Sequence, residues 1–198
     1  MVAGLTGGIA CGKSLVSAEL KRLGAHIVDA DLISRELMEK GTPVYDGVVR
    51  EFGRSILRPD GSIDRKALGA IVFSDREKLL KLNALTHPAI IKTASEEVER
   101  IRKSRPETVI VVDAALLIEA GMHRAVDRVI VVYADEEKQI ERMKKRDGLD
   151  EPEARRRLSC QMPIKEKIKY ADYLIENNGT VEELESAVRR VFAELAKI

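Results

Sequence analysis

The sequence predicts an α/β fold of three layers, α/β/α, with a five-stranded parallel sheet between two layers of helices. Three observations predict it. Short apolar runs at residues 2–6, 25–28, 108–112, 128–133 and 173–176 read as strands, and those at 108–112 and 128–133 are apolar enough for the centre of a sheet. Amphipathic helical stretches separate them, the alternation that builds parallel sheets through crossovers. The first run passes directly into Gly7, Gly12, Lys13 and Ser14 at the spacing G-x-x-x-x-G-K-[ST], and a helical pattern opens at Ser14.

That glycine-rich stretch organises the chain. Glycines let the backbone curl so that successive N–H groups point inward at phosphate oxygens, and the following helix adds its positive end. Lys13 then lies against the β- and γ-phosphates as a point charge, and Ser14 offers its hydroxyl to a Mg²⁺. The expected nucleotide-binding residues are Gly7, Gly8, Ile9, Ala10, Cys11, Gly12, Lys13, Ser14 and Leu15. A glycine turn that precedes a lysine by accident is the bland alternative. Context opposes it: a strand runs in, and Val16, Leu20 and Leu23 then share a helical face that ends at Gly24. Cys11 sits beside Lys13 and the loop amides, a setting that favours the thiolate.

Strand two ends in Asp29-Ala30-Asp31. Ligands of open parallel sheets bind beyond the carboxyl ends of the strands, so these acids are expected to face the phosphate loop's crevice. Capping a helix that starts at Leu32 would account for Asp31 alone. Residues 32–105 are helical almost throughout, broken at Gly41-Thr42-Pro43, Gly53 and Pro59-Asp60-Gly61, with His87-Pro88 marking a kink or restart. Apolar faces are expected from Val44, Val48, Val49 and Phe52, from Leu68, Ile71 and Val72, and from Leu79, Leu80, Leu82 and Leu85. A crossover needs only about a dozen residues. The roughly 75 present here read as an inserted helical subdomain that binds the acceptor.

Asp113 ends the third strand, where an acid suits a magnesium-bound water or a substrate contact, though it could equally cap or start a loop. Residues 114–120, with Glu119, read as a short helix. After the fourth strand, Asp135 caps an acid-rich helix start; Arg142 and Arg146 share one face of that helix, and Arg155, Arg156 and Arg157 follow. Basic clusters usually mean a solvated face. Here they stand where a mobile lid brings arginines onto transferring phosphates. A Lys-rich helix follows Pro163, then the last strand, and then a helix opened by a Thr180–Glu183 capping box. The expected organisation is one domain over 1–198, with core 1–31, 105–140 and 171–198, a helical insertion at 32–104 and a lid at 141–170.

The bulk numbers exclude several classes. Charged residues reach 34% yet cancel to +1, so no global basic field draws the chain to nucleic acid. No apolar run approaches membrane-spanning length, and the amino terminus lacks a secretory pattern. Cys11 and Cys160 are too few and too far apart for a disulfide framework or a metal site, which fits reduced thiols in a cytoplasm. Monomer or homo-oligomer is left open. The residues alone also leave three outputs open: an acceptor kinase, a nucleoside monophosphate kinase, or a switch ATPase that binds without transferring.

Taken together, Leu5-Thr6-Gly7-Gly8-Ile9, Gly12-Lys13-Ser14, Asp29-Ala30-Asp31 with Arg35, His87-Pro88, Asp113 with Leu116-Leu117 and Glu119, Arg146-Asp147, Gln161, and Ala171-Asp172 with Ile175 and Asn177 resemble dephospho-CoA kinases. The matches run from residue 4 to 179 in order, and the combination is far more specific than the phosphate loop alone. The resemblance implies transfer of the γ-phosphoryl of ATP to the ribose 3′-hydroxyl of dephospho-CoA, with Mg²⁺. It implies Asp31 as catalytic base, Lys13 as phosphate grip, Ser14 as magnesium ligand with Asp113 nearby through water, and Arg142 and Arg146 closing from the lid. It places Asn177 near the adenine and Arg35, His87 and Asp113 with the substrate. Leu15 stands where the family usually has Thr. Ala115 and Ile118 replace a usual Pro and Phe, and loss of the proline is expected to free the loop after Asp113.

Overall fold

The computed structural model describes residues 1–197. It divides into two compact units, Met1–Asp29 with Glu97–Ile198, and Ala30–Glu96.

The first unit is built on five parallel strands: β1 (Val2–Gly7), β2 (His26–Asp29), β3 (Ile110–Asp113), β4 (Arg128–Tyr133) and β5 (Tyr173–Glu176), in the order β2-β3-β1-β4-β5. β1 lies at the centre, with Leu5 level with Asp113 on one side and Ile130 on the other. β2 and β3 end level, Asp29 beside Asp113. All residues of β1 and β3 are buried, which is why these strands read as continuous apolar runs. Strand pleat sends alternate side chains to opposite faces. On one face, Ala3, Leu5, Val111, Ile130 and Val132 pack with α1 (Lys13–Arg22) and α9 (Val181–Leu195) through Val16, Leu20, Leu184, Val188 and Leu195. On the other, Leu117 and Val126 close over Gly4.

The second unit has its own core of Val44, Tyr45, Val48, Ile56, Ile63, Leu68 and Val72. It comprises α2 (Ala30–Leu37), α3 (Pro43–Phe52), α4 (Arg65–Val72) and most of α5 (Arg76–Ser104). The three predicted breaks are present. Thr42 caps α3 with Pro43 in its first turn, Gly53 ends it, and residues 58–62 turn between the antiparallel bridge partners Leu57 and Ile63.

Several expectations are corrected. Asp31 does not cap α2, which begins at Ala30; it lies inside the first turn. The break at His87-Pro88 is absent, because α5 runs 29 residues with Pro88 inside it. Proline removes one backbone donor there, and burial of Thr86, Ile90 and Ala94 along another face of the helix holds it together, while Pro88 is exposed. Leu80 and Leu85 of the third apolar face are exposed at 59% and 37%. Residues 114–120 are a series of tight turns (Leu117 to Ala114, Ala120 to Leu116, Gly121 to Ile118) rather than a helix.

Candidate active site

The phosphate loop leaves the C-terminal end of the central strand and ends at the start of α1. Gly12 carries φ 93° and caps α1 without any side-chain hydrogen bond; the Leu15 N–H turns back to the Gly12 carbonyl at 3.0 Å, and the positive end of the helix faces the loop. Ala10 is also left-handed, at φ 56°, a strained setting for a residue with a Cβ. Gly7 has no room for a side chain: a Cβ would meet the Val132 carbonyl at 2.5 Å and the Cys11 sulfur at 2.6 Å.

Lys13 and Asp113 come together as a short ion pair. Asp113 is 5% exposed at the end of β3. Burial pushes its carboxyl up, against the pull of the Lys13 ammonium and a Ser17 hydrogen bond. The loop after Asp113 is not free despite the missing proline. The Ala115 carbonyl accepts from Thr6 Oγ1 at 3.1 Å and from Lys167 Nζ at 2.8 Å, so side chains do what a proline ring would have done.

Asn177 follows β5 and is buried against the loop, its amide donating to the Cys11 carbonyl at 2.8 Å. Arg142, on α6 (Glu136–Asp147), donates to the Ala10 carbonyl at 3.3 Å and the Asn177 carbonyl at 3.0 Å. Arg146, one turn on, instead holds its neighbour Asp147 at 2.7 Å and points to the surface. The structure thus brings Gly7–Ser14, Asp113, Arg142 and Asn177 together and leaves Arg146 outside that cluster. Leu15 is exposed on α1. Asp31 and Arg35 lie on α2, and His87 on α5, all in the second unit. The Cys11 thiolate expectation is overturned: the side chain is 1% exposed, and burial pushes the thiol up despite Lys13, Lys167 and the loop amides.

A cleft of about 440 Å³ opens beside Gly8 and Ile9, bordered by Gln139, Arg155, Gln161 and Lys165. Two of its walls come from α7 (Glu151–Ser159) and α8 (Ile164–Ile168). Among the described residues no group of three or more His, Cys, Asp or Glu gathers to hold a metal. Magnesium bound with a nucleotide needs no such cage. It takes hard oxygen ligands, a hydroxyl and a carboxylate beside phosphate and water, and Ser14 and Asp113 are of that kind.

The sequence model for dephospho-CoA kinases matches residues 1–183. The chain belongs to the dephospho-CoA kinase family. A dephospho-CoA kinase of Geobacter sulfurreducens is 48% identical over 193 residues, 98% of each chain. One of Aquifex aeolicus is 47% identical over 195 residues, 98% of this chain and 97% of the other. The solved dephospho-CoA kinase from Campylobacter jejuni superposes with a TM-score of 0.72 at 30% identity, covering 99% of this chain and 97% of its own.

One residue of this neighbourhood escaped the sequence analysis. Lys167 lies in the Lys-rich helix after Pro163, a residue type ordinarily solvated, yet it has no exposure at all. Its spacing carries a weak signal: Lys167 sits three residues after Ile164, on the same side of a short helix whose Lys165, like Lys169 just past its end, is exposed.

Proposed function

We propose that the chain phosphorylates dephospho-CoA at its ribose 3′-hydroxyl with ATP, giving coenzyme A and ADP. The observation that carries this is an intact phosphate loop, ending in Lys13 and Ser14 against a buried acid, in a chain that matches the family from residue 1 to 183. ATP is the donor in this family.

Lys13 exchanges Asp113 for the β- and γ-phosphates when nucleotide enters, so the ion pair keeps the ammonium in place beforehand. The loop amides and the start of α1 supply the remaining positive field. Ser14 and Asp113 are the groups that would hold Mg²⁺, Asp113 through water. A Mg²⁺ held there would supply positive charge to offset that of the phosphates. Asp31, two residues past the end of β2, orients the incoming hydroxyl and accepts its proton. The loose transition state of phosphoryl transfer asks for alignment more than basicity, and a carboxylate suffices.

Arg142 stands at the loop already and stabilises developing charge, and Arg146 joins it by giving up Asp147. Asn177 braces the loop from behind and meets the adenine end of the nucleotide through its segment. Residues 32–104, carrying Arg35 and His87, hold the acceptor, and 141–170 act as the lid. Both substrates are small and water-soluble, and no helix among the described residues is long and apolar enough to cross a membrane. A cytoplasmic setting suits two small, water-soluble substrates.

The test is to incubate the protein with Mg²⁺-ATP and dephospho-CoA, with a panel of nucleoside monophosphates, or with no acceptor. Coenzyme A should form in the first case alone, and chelation of Mg²⁺ should stop it. Transfer to monophosphates, or hydrolysis independent of acceptor, would overturn the assignment.

A further inference from the structure

We propose that Lys167 is a positioning residue for the nucleotide: from behind, it fixes the peptide that aims Gly8 N–H into the site, with Glu119 as its counter-charge. This rests on the assignment of residues 7–14 as the ATP site. An ammonium with no solvent exposure costs several kcal/mol unless it is paired and hydrogen-bonded. Lys167 makes three such contacts, on two segments, the phosphate loop and the loop after Asp113. Its Nζ donates to the Gly7 carbonyl at 3.4 Å, to the Ala115 carbonyl at 2.8 Å, and pairs with Glu119 Oε1 at 3.1 Å. Glu119 Oε1 also accepts the Met162 N–H at 3.1 Å, so one carboxylate holds residues 162 and 167 against the loop after Asp113.

The peptide link gives these contacts a direction. In a trans peptide the C=O and the following N–H point opposite ways. Drawing the Gly7 carbonyl inward therefore turns the Gly8 N–H outward, and Gly8 lines the cleft beside the loop. The contact at Ala115 steadies the residues that leave Asp113. The ionisable groups facing Lys167 are Glu119, Cys11 and Lys13; burial lowers the ammonium's pKa, and Glu119 opposes that. Glu119 is thus the carboxylate that pairs with this ammonium.

The test compares Lys167→Met, Lys167→Arg and Glu119→Gln with the wild type. Mg²⁺-ATP affinity is measured by calorimetry, and kcat and both KM values by coenzyme A formation, per folded molecule. Lys167→Met should weaken Mg²⁺-ATP binding by about tenfold and lower kcat similarly, leaving the KM for dephospho-CoA within about twofold. Lys167→Arg should restore most of the loss. A loss below about threefold, or one that arginine fails to restore, overturns the proposal.

Should Lys167→Met not fold, Glu119→Gln decides. The basic limb of its pH profile for kcat/KM should move to lower pH, since the ammonium loses its counter-charge; an unmoved limb overturns the role. A wild type that binds no Mg²⁺-ATP would sink the nucleotide site itself. A wild type that binds it while Lys167→Met binds equally well sinks the Lys167 role alone.

Discussion

Gly12 shows how closely the phosphate loop is packed at single residues. Its φ of 93° penalises any side chain, and a Cβ there would run into the Asn177 amide. Gly12→Ala should therefore cost at least about 2 kcal/mol, read from urea denaturation, and weaken ATP binding as well. A neutral substitution would mean that the loop relaxes freely. Asp31→Asn tests the other end of the reaction: kcat should fall by about 10² to 10⁴ with ATP affinity unchanged, as expected when a general base is lost. Activity near that of the wild type in a folded variant would remove Asp31 from the role. Lys13, Ser14 and Gly12 were legible in the sequence because the motif's spacing is dictated by backbone chemistry. Lys167 and the state of Cys11 were not. Both depend on what the tertiary structure buries, and residue type alone argues that lysine is solvated and that a thiol beside a lysine is ionised.

At the scale of elements, the last helix's capping box is legible in the sequence, whereas the Asp135 cap and helix continuity are not: Asp135 stands at the start of α6 without a side-chain cap bond, its carboxylate accepting from the Tyr133 hydroxyl instead. The Thr180–Glu183 capping box is present as the spacing implied, because its hydrogen bonds are local. α5 was misread, because proline's local cost was outweighed by packing along 29 residues. Pro88 is exposed, so Pro88→Ala loses little contact and regains a backbone donor. It should stabilise the protein by about 1–3 kcal/mol in urea unfolding; a lower midpoint would show that the ring itself is needed. Asp64 caps α4 by accepting from Lys66 N and Ala67 N, and these bonds, that of Ala67 foremost, hold its carboxyl below the usual aspartate range. Its contribution is present above the ordinary aspartate pKa and is lost as pH falls through the lowered one. Melting temperatures recorded below about pH 4 should fall less steeply in Asp64→Asn, which can still cap through its amide oxygen. Equal slopes would deny the cap its pH dependence.

For the whole molecule, the five strands are legible in the sequence, while the strand order β2-β3-β1-β4-β5 comes only from the structure. Apolar runs state that a strand is buried but not which neighbour it meets. That order has a chemical consequence, since it sets the Lys13 loop at the end of the central strand, beside Asp113 and level with the end of β2. The site residues of the first unit thus converge from segments up to about 170 residues apart, as the 166-residue separation of Asn177 from Cys11 illustrates. The central claim is that this framework passes a phosphoryl group from ATP to one hydroxyl. The most direct measurement supplies γ-labelled ATP, Mg²⁺ and dephospho-CoA and locates the label in the product. Label on the ribose 3′-oxygen of coenzyme A, appearing far more slowly when Asp31→Asn replaces the wild type, is the predicted result. Label released only as inorganic phosphate, or carried to another acceptor in preference, would contradict the account.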